Sequence, residues 1–489
     1  MDSKKKSIIS ALMVSMFLAA VEGTVVTTAM PTIVKDLNGF QLISWVFSLY
    51  LLTSAISTPI YGKLSDLYGR KNILSIGIII FLIGSFLCGL SGSMYQLIFF
   101  RAVQGLGAGS IFTVTYTIVG DVFTLEERGK VQGWLGTVWG IASLIGPFLG
   151  GFLIDNLSWH WIFFINIPFG MLSIILIQKN LVEEFEKKKH KIDYAGAITL
   201  SLAIMALLYL FLSMGKSEGV SLYVIIMCII ATIIFFIAFY FIENKALEPI
   251  IPFDIFTKTN ILVNIISFLI SAFLMGIDAY MPIYIQNVLG FQPTIAGIAL
   301  APMSLSWLMS SIVLAKAIPK YGEKVIASLS TVILIVSTAL LPTLTINSSL
   351  FTVIVYGFIM GFGFGGCFTT LTIVIQESVN YDKRGAATAS NALVRTLGQT
   401  IGISVLGGIF NLTIDKYFKN LGIKGVNSSN LYSTSSSLLA YSSHIKASIF
   451  SGVHILFIIF ILISIVCLIL ALALPSNLKK RKNKYSHEN

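Results

Sequence analysis

Gly62-Lys63-Leu64-Ser65-Asp66-Leu67-Tyr68-Gly69-Arg70-Lys71 is a dense run of charge set between two long apolar stretches. Such a run marks a place where the chain leaves oil for water. The rest of the sequence makes that reading general. Of 489 residues, 56% are apolar and only 11% are charged, and the mean hydropathy is +0.87. A soluble domain is about one quarter charged. The apolar excess runs the whole length, so the chain reads as a polytopic, all-α membrane protein.

A helix needs about 20 apolar residues to cross the hydrocarbon core, and only helices or closed barrels satisfy their own backbone there. Fourteen spans are expected, at about 8–34, 42–62, 73–92, 95–121, 131–155, 161–178, 193–214, 220–242, 260–287, 294–317, 325–344, 350–377, 387–412 and 448–474. With the N-terminus inside, 25 of the 33 Lys and Arg fall on cytoplasmic segments and six on outer loops. Arg101 and Arg395 lie within spans. That asymmetry follows the positive-inside rule, and it places both termini in the cytoplasm. The net charge of +11 is thus topological. The basic run Lys479–Lys484 is expected to meet anionic membrane lipids rather than nucleic acid.

Several classes fall away. Cys88, Cys228, Cys367 and Cys467 lie singly in apolar spans, so neither a disulfide nor a metal site is expected. Lys4-Lys5-Lys6 before an apolar run imitates a signal peptide, but the run is too long and carries Glu22, so it reads as an uncleaved first helix. No catalytic arrangement and no Walker-type phosphate loop is present. No enzyme activity and no cofactor is expected.

The chain repeats itself. Gly105, Gly107, Gly109, Phe112, Thr113, Arg128 and Gly129 recur 256 residues later as Gly361, Gly363, Gly365, Phe368, Thr369, Arg384 and Gly385. Lys63, Tyr68, Gly69 and Lys71 match Lys316, Tyr321, Gly322 and Lys324 at 253, and Met30-Pro31 matches Met281-Pro282 at 251. Two parallel six-helix halves follow, over residues 1–190 and 246–489, with two inserted helices in 191–245 and a Ser- and Asn-rich outer loop at about 413–447. Such halves can rock about a central cavity.

The form Gly-x-Leu-x-Asp-x-x-Gly-Arg-Lys resembles the signature loop between helices 2 and 3 of the major facilitator superfamily. Four further segments resemble its 14-span drug:proton antiporters, the EmrB/QacA branch. Glu22 to Pro31 looks like the branch's first-helix motif, which usually has Asp at the place of Glu22. Arg101 to Gly109 looks like the helix 4 motif. Gly136 to Gly151 looks like the helix 5 motif of antiporters. Trp159 to Pro168 looks like the start of helix 6, with His160 where Arg is common. The resemblance implies a secondary transporter of a bacterial cytoplasmic membrane. Its partners would be protons, drug-like substrates and lipids, with a single chain as the working unit.

The residues suggest parts in such a cycle. Glu22 and Asp278 are carboxyls in apolar spans, where a charge costs about 2.5–3.5 kcal/mol on insertion scales. A carboxyl shut from water favours its neutral form and a wet one its charged form, so either acid could exchange a proton for a cationic substrate. The bland alternative is a structural acid paired with Arg101 or Arg395. By resemblance Arg101 takes part in proton transfer; otherwise it anchors packing. Gly62, Asp66, Gly69, Arg70 and Lys71, with Asp121, read as a cytoplasmic latch or simply as a topology determinant. Gly140, Gly146, Gly150 and Gly151 clear a helix face and Pro147 bends it, giving a hinge, a seal, or an ordinary packing face. Trp45, Tyr50, Tyr116, Trp139, Met275, Tyr280, Tyr284, Trp307 and Asn391 are candidate cavity lining, since aromatics attract cations and Met adapts its shape; packing against lipid or helices is the alternative. The function expected is proton-coupled multidrug efflux. A narrow exporter of one antibiotic or lipid-linked metabolite, and a sensor that has lost transport, are the alternatives.

Overall fold

The computed structural model describes residues 3–123, 125–181, 194–214, 221–246, 253–379, 384–423, 425–431 and 442–475. The apolar runs form helices α1 (Ser3–Leu37), α2 (Ile43–Tyr68), α3 (Arg70–Gly89), α4 (Met94–Val122), α5 (Leu125–Asn156), a short α6 (Trp161–Phe164) and α7 (Asn166–Asn180). They continue as α8 (Tyr194–Met214), α9 (Leu222–Glu243), α10 (Lys258–Ile283), α11 (Pro293–Tyr321), α12 (Glu323–Leu340), α13 (Leu350–Glu377), α14 (Arg384–Asn420) and α15 (Ser442–Leu472). Among the described residues, thirteen helical stretches are long and apolar enough to cross a membrane, and Ala195–Phe211 in α8 is a shorter apolar helix. Below, the near face is the end of the bundle where α1 begins, and the far face is the opposite end.

Three helices depart from the expected spans. The expected outer loop at 413–447 is shorter, because α14 continues to Asn420: Ile414 and Phe418, one turn apart, are fully buried. Residues 432–441 lie outside the described part. The expected span 161–178 is broken at Ile165, between α6 and α7. The last turn of the 260–287 span, Tyr284–Val288, is π-helical, just past Pro282, whose ring cannot follow an α-helical ladder.

The duplication is visible in the backbone. Gly69 and Gly322 both join consecutive helices at φ of +89° and +85°, a conformation that only glycine adopts without strain. A Cβ on Gly105 would strike the Tyr50 carbonyl, and one on Gly361 would strike that of Met303, 253 residues later. Gly109 and Gly365 meet the carbonyls of Ser54 and Trp307 in the same way. Each glycine lets α4 close on α2, or α13 on α11.

The two sets of helices touch along three seams. Ser48 hydroxyl lies 2.9 Å from Ser404 hydroxyl between α2 and α14, and Asn411 donates to Gln41 O at 3.2 Å nearby. Gln286 donates to Thr28 O at 2.9 Å between α10 and α1. The third seam joins α5 to α11. Pro147 has no amide to bond Ser143 O, and Ser304 of α11 donates its hydroxyl to that carbonyl at 2.9 Å. Gly151 sits on the Pro293–Thr294 backbone, and Gly297 sits on the Pro147 carbonyl. The inserted pair α8 and α9 lies over the α2–α14 seam: Leu200, Ile204 and Phe239 pack with Leu52, Leu393 and Leu397. Replacing Gly297 by Val should cost about 1–3 kcal/mol through overpacking, read as a lower melting temperature in detergent. An unchanged melt would show the seam to be loose.

Candidate functional site

Glu22 lies mid-way along α1 and is 1% exposed. Arg101 lies on α4, and Ser93, whose hydroxyl accepts the Gln96 amide at 3.3 Å, caps the helix that carries it. The two form a buried ion pair, with Arg101 Nη1 at 2.5 Å from Glu22 Oε1. Nη1 also donates to Gln104 Oε1 at 2.7 Å, one turn along the same face. The second carboxylate oxygen is held as well: Asn166 Nδ2 donates to Glu22 Oε2 at 2.5 Å and to Ser85 Oγ at 2.9 Å. Ser85 in turn donates to Phe163 O at 2.9 Å. The break at Ile165 lets Asn166 start a new helix at this depth. The guanidinium lies 4.0 Å from the centroid of the Tyr50 ring, a cation–π contact that is stronger away from water. Among the described residues, Tyr50 hydroxyl and Arg101 Nε are buried without a partner.

Asp278 has different surroundings. It is half-buried on α10, and no hydrogen bond or ion pair among the described residues reaches its carboxylate. Pro282, four residues on, has no amide to bond the Asp278 carbonyl. One short stretch of α10 therefore offers a carboxylate and a main-chain oxygen as acceptors.

The alternative of a structural acid paired with Arg101 or Arg395 divides accordingly: Glu22 pairs with Arg101, and among the described residues Asp278 pairs with neither arginine. Arg395 donates instead to Thr372 Oγ1 at 2.9 Å and Phe368 O at 3.4 Å, and its guanidinium lies 4.7 Å from the Phe368 centroid.

The candidate cavity-lining residues make the following contacts in this conformation. Asn391 is tied to Asn264 and Ser267 at 2.9 and 3.1 Å. Tyr284 is fully buried and donates to Thr345 O at 2.6 Å toward the far face. Tyr280 packs on Phe410 at 4.8 Å, and Tyr50 is covered by Arg101. In each case a polar tip or ring finds a protein partner before it finds open space. Met275 is buried, and Trp307 stacks on Phe368 at 5.1 Å. Trp45 is half-buried against the core. Tyr116 is 44% exposed and Trp139 39% exposed, with Trp139 stacked on Phe112 at 5.5 Å.

At the near face Arg70 forms an ion pair with Asp121, joining α3 to α4. Lys71 donates to Gln178 O at 2.7 Å, and Gly62 faces Thr113. The side chain of Asp66 lies outside the described part. The contacts of Arg70, Lys71 and Gly62 named here stay within α1–α7. The Asp121 side chain is 49% exposed, so the Arg70–Asp121 pair is worth about 0–1 kcal/mol. Of the helix 5 glycines, Gly146 and Gly150 admit Thr24 and Val25 of α1, while Gly140 and Gly151 admit α11. His160 stacks on Trp159 at 3.8 Å toward the far face, where Trp159 donates to Asp36 at 2.7 Å. A cavity of 440 Å³ opens there, away from both acids.

Sequence reasoning gave no role to Gln104, Asn166 or Ser85. Their signal was polar side chains inside otherwise apolar runs, which must find partners in a bundle.

Three comparisons bear on this geometry. A family model described as Major Facilitator Superfamily matches residues 12–403. Multidrug resistance protein 3 of Bacillus subtilis (strain 168) is 36% identical over 409 residues, which is 83% of this chain and 80% of that protein. Multidrug efflux pump SdrM of Staphylococcus aureus (strain N315) is 31% identical over 421 residues, 85% of this chain and 92% of that protein. Among solved structures, a bacterial homolog to the human lysosomal transporter Spinster, inward-facing and unoccupied, superposes with a TM-score of 0.72 over 97% of both chains. At 13% identity that likeness concerns the fold alone.

Proposed function

Since this chain belongs to the Major Facilitator Superfamily, and is thus a multi-pass transporter of the cytoplasmic membrane, we propose that it exports hydrophobic or cationic drug-like compounds in exchange for protons. The observation that carries the proposal is the contrast between two acids within the membrane. Glu22 is held by Arg101 and Asn166, whereas Asp278 is half-buried and has no partner among the described residues. Two relatives that are named as multidrug proteins support the substrate class.

In the proposed cycle the near face is cytoplasmic. A substrate cation reaches Asp278, and the acid gives up its proton as the charge arrives. The seams at α5–α11, α2–α14 and α1–α10 then open as one half rocks against the other. Protonation from outside releases the substrate and permits the return. Arg101 holds Glu22 until the surroundings of the pair change, so its site answers conformation rather than substrate directly. One proton crossing inward provides about 2.3 kcal/mol per 100 mV.

The test is ethidium transport in proteoliposomes with an imposed pH gradient. Transport is expected against the ethidium gradient and should stop when nigericin collapses the pH difference in chloride-free potassium medium. Transport that persists without any ion gradient would refute proton exchange.

A further inference from the structure

We propose that Asn260, Asn264, Ser267 and Ser271 of α10, with Asn391 of α14, form a hydrated track along which Asp278 exchanges its proton with the near face. The inference rests on the reading of Asp278 as an exchange site. At 100° per residue, Asn260, Asn264, Ser267, Ser271 and Asp278 fall within about 60° of one another on the helix. The stripe begins two residues into α10, at the near face, and runs about 27 Å along the axis to the acid.

The hydrogen bonds trace the first part of that line, from Asn260 to Ser267. Asn264 donates to Asn260 Oδ1 at 2.6 Å, and Asn391 donates to Asn264 Oδ1 at 2.9 Å and to Ser267 Oγ at 3.1 Å. Polar side chains between membrane helices often serve only as glue. A glued seam satisfies its own groups, and this one does not. Asn260 Nδ2, at the near end of the network, and Ser271 Oγ, one turn beyond Ser267, belong to fully buried residues and have no partner among the described residues. Buried groups of this kind are normally met by ordered water, which makes about three hydrogen bonds. Two turns beyond Ser271, the Asp278 carboxylate is half-buried and has no partner among the described residues. Arg395, the basic residue on the adjoining helix, is turned toward Thr372 and Phe368.

The step balances simply. The carboxyl O–H of Asp278 breaks as its proton passes to a water of the track, leaving a carboxylate for the incoming cation. The positive charge then passes from water to water to the near face.

The track is tested by thiol accessibility. Ser271→Cys is made where Cys88, Cys228, Cys367 and Cys467 are replaced by Ala, and inside-out vesicles are treated with a membrane-impermeant cationic methanethiosulfonate. Ile266→Cys is the control: Ile266 is buried on the same helix, about 140° around from Ser271. Labelling at 271 should be about tenfold faster than at 266, and adding Asn391→Leu should slow it. Ser267→Cys serves as a second reporter if the first variant does not fold. Equal rates at the stripe positions and at 266 would show a dry seam and overturn the track. Asn391→Leu alone should reduce efflux severalfold with ethidium binding retained; undiminished efflux would also overturn it. Failure of the Asp278 reading would show separately, as an Asp278→Asn variant that still pumps while labelling at 271 is unchanged.

Discussion

Asp278→Asn, made alone, is expected to lower gradient-driven ethidium transport tenfold or more while leaving expression and melting temperature near wild type. The reason lies in what surrounds the side chain. No described group bonds the carboxylate, so the amide removes the charge without leaving a donor stranded. The loss of a titrating group should therefore fall on transport rather than on folding. A tenfold loss corresponds to about 1.4 kcal/mol of barrier. The measurement is initial efflux rate in proteoliposomes at matched protein density. A variant that pumps as fast as wild type, with the same need for a gradient, would remove Asp278 from the exchange.

Arg101→Met is expected to act in the opposite way, first on stability. It leaves the Glu22 carboxylate, 1% exposed, without its ion-pair partner and dependent on neutral donors such as Asn166. Breaking one side of a buried pair typically costs about 3–5 kcal/mol, because the remaining charge is stranded. Glu22→Gln combined with Arg101→Met removes both charges and should recover most of the melting temperature. The double-mutant cycle isolates their coupling. Transport should not return in the double variant, since the proposed conformational response of the pair is gone. Additive losses in the cycle would mean that the two charges do not depend on one another.

The repeat fixes the backbone contacts of both halves and leaves the buried charges to each half alone. The halves share backbone contacts: Gly69 with Gly322 at the turns, and Gly105 and Gly109 with Gly361 and Gly365 at the crossings. They do not share chemistry. At the offsets of the repeat, Glu22 corresponds to Phe273, Arg101 to Gly357 and Gln104 to Met360. Phe273 packs 4.8 Å from both Phe364 and Phe460, so an aromatic cluster stands where the first half holds its ion pair. Glycine spacing is retained because backbone approach tolerates no other residue; the buried charges carry no such geometric demand.

The membrane class, most of the helices and the internal repeat were legible in the sequence. Hydropathy and glycine spacing act through the local chain and the bilayer, and both repeat along the helix axis. The charged loop and the intramembrane acids were legible too, because an ionised group in an apolar run is conspicuous. Sequence could not say which charges meet. Helical register fixes the face on which Glu22, Arg101, Asp278 and Arg395 lie, but not the rotation and depth at which one helix docks on another. Only the packed bundle decided that Glu22 is enclosed by Arg101 and Asn166, that Arg395 turns to Thr372, and that Asp278 has no partner among the described residues. It decided likewise that Ser304 answers the carbonyl freed by Pro147. A partner on another helix, 23 to 161 residues away in sequence, is chosen by three-dimensional packing, and single-helix periodicity holds no record of it.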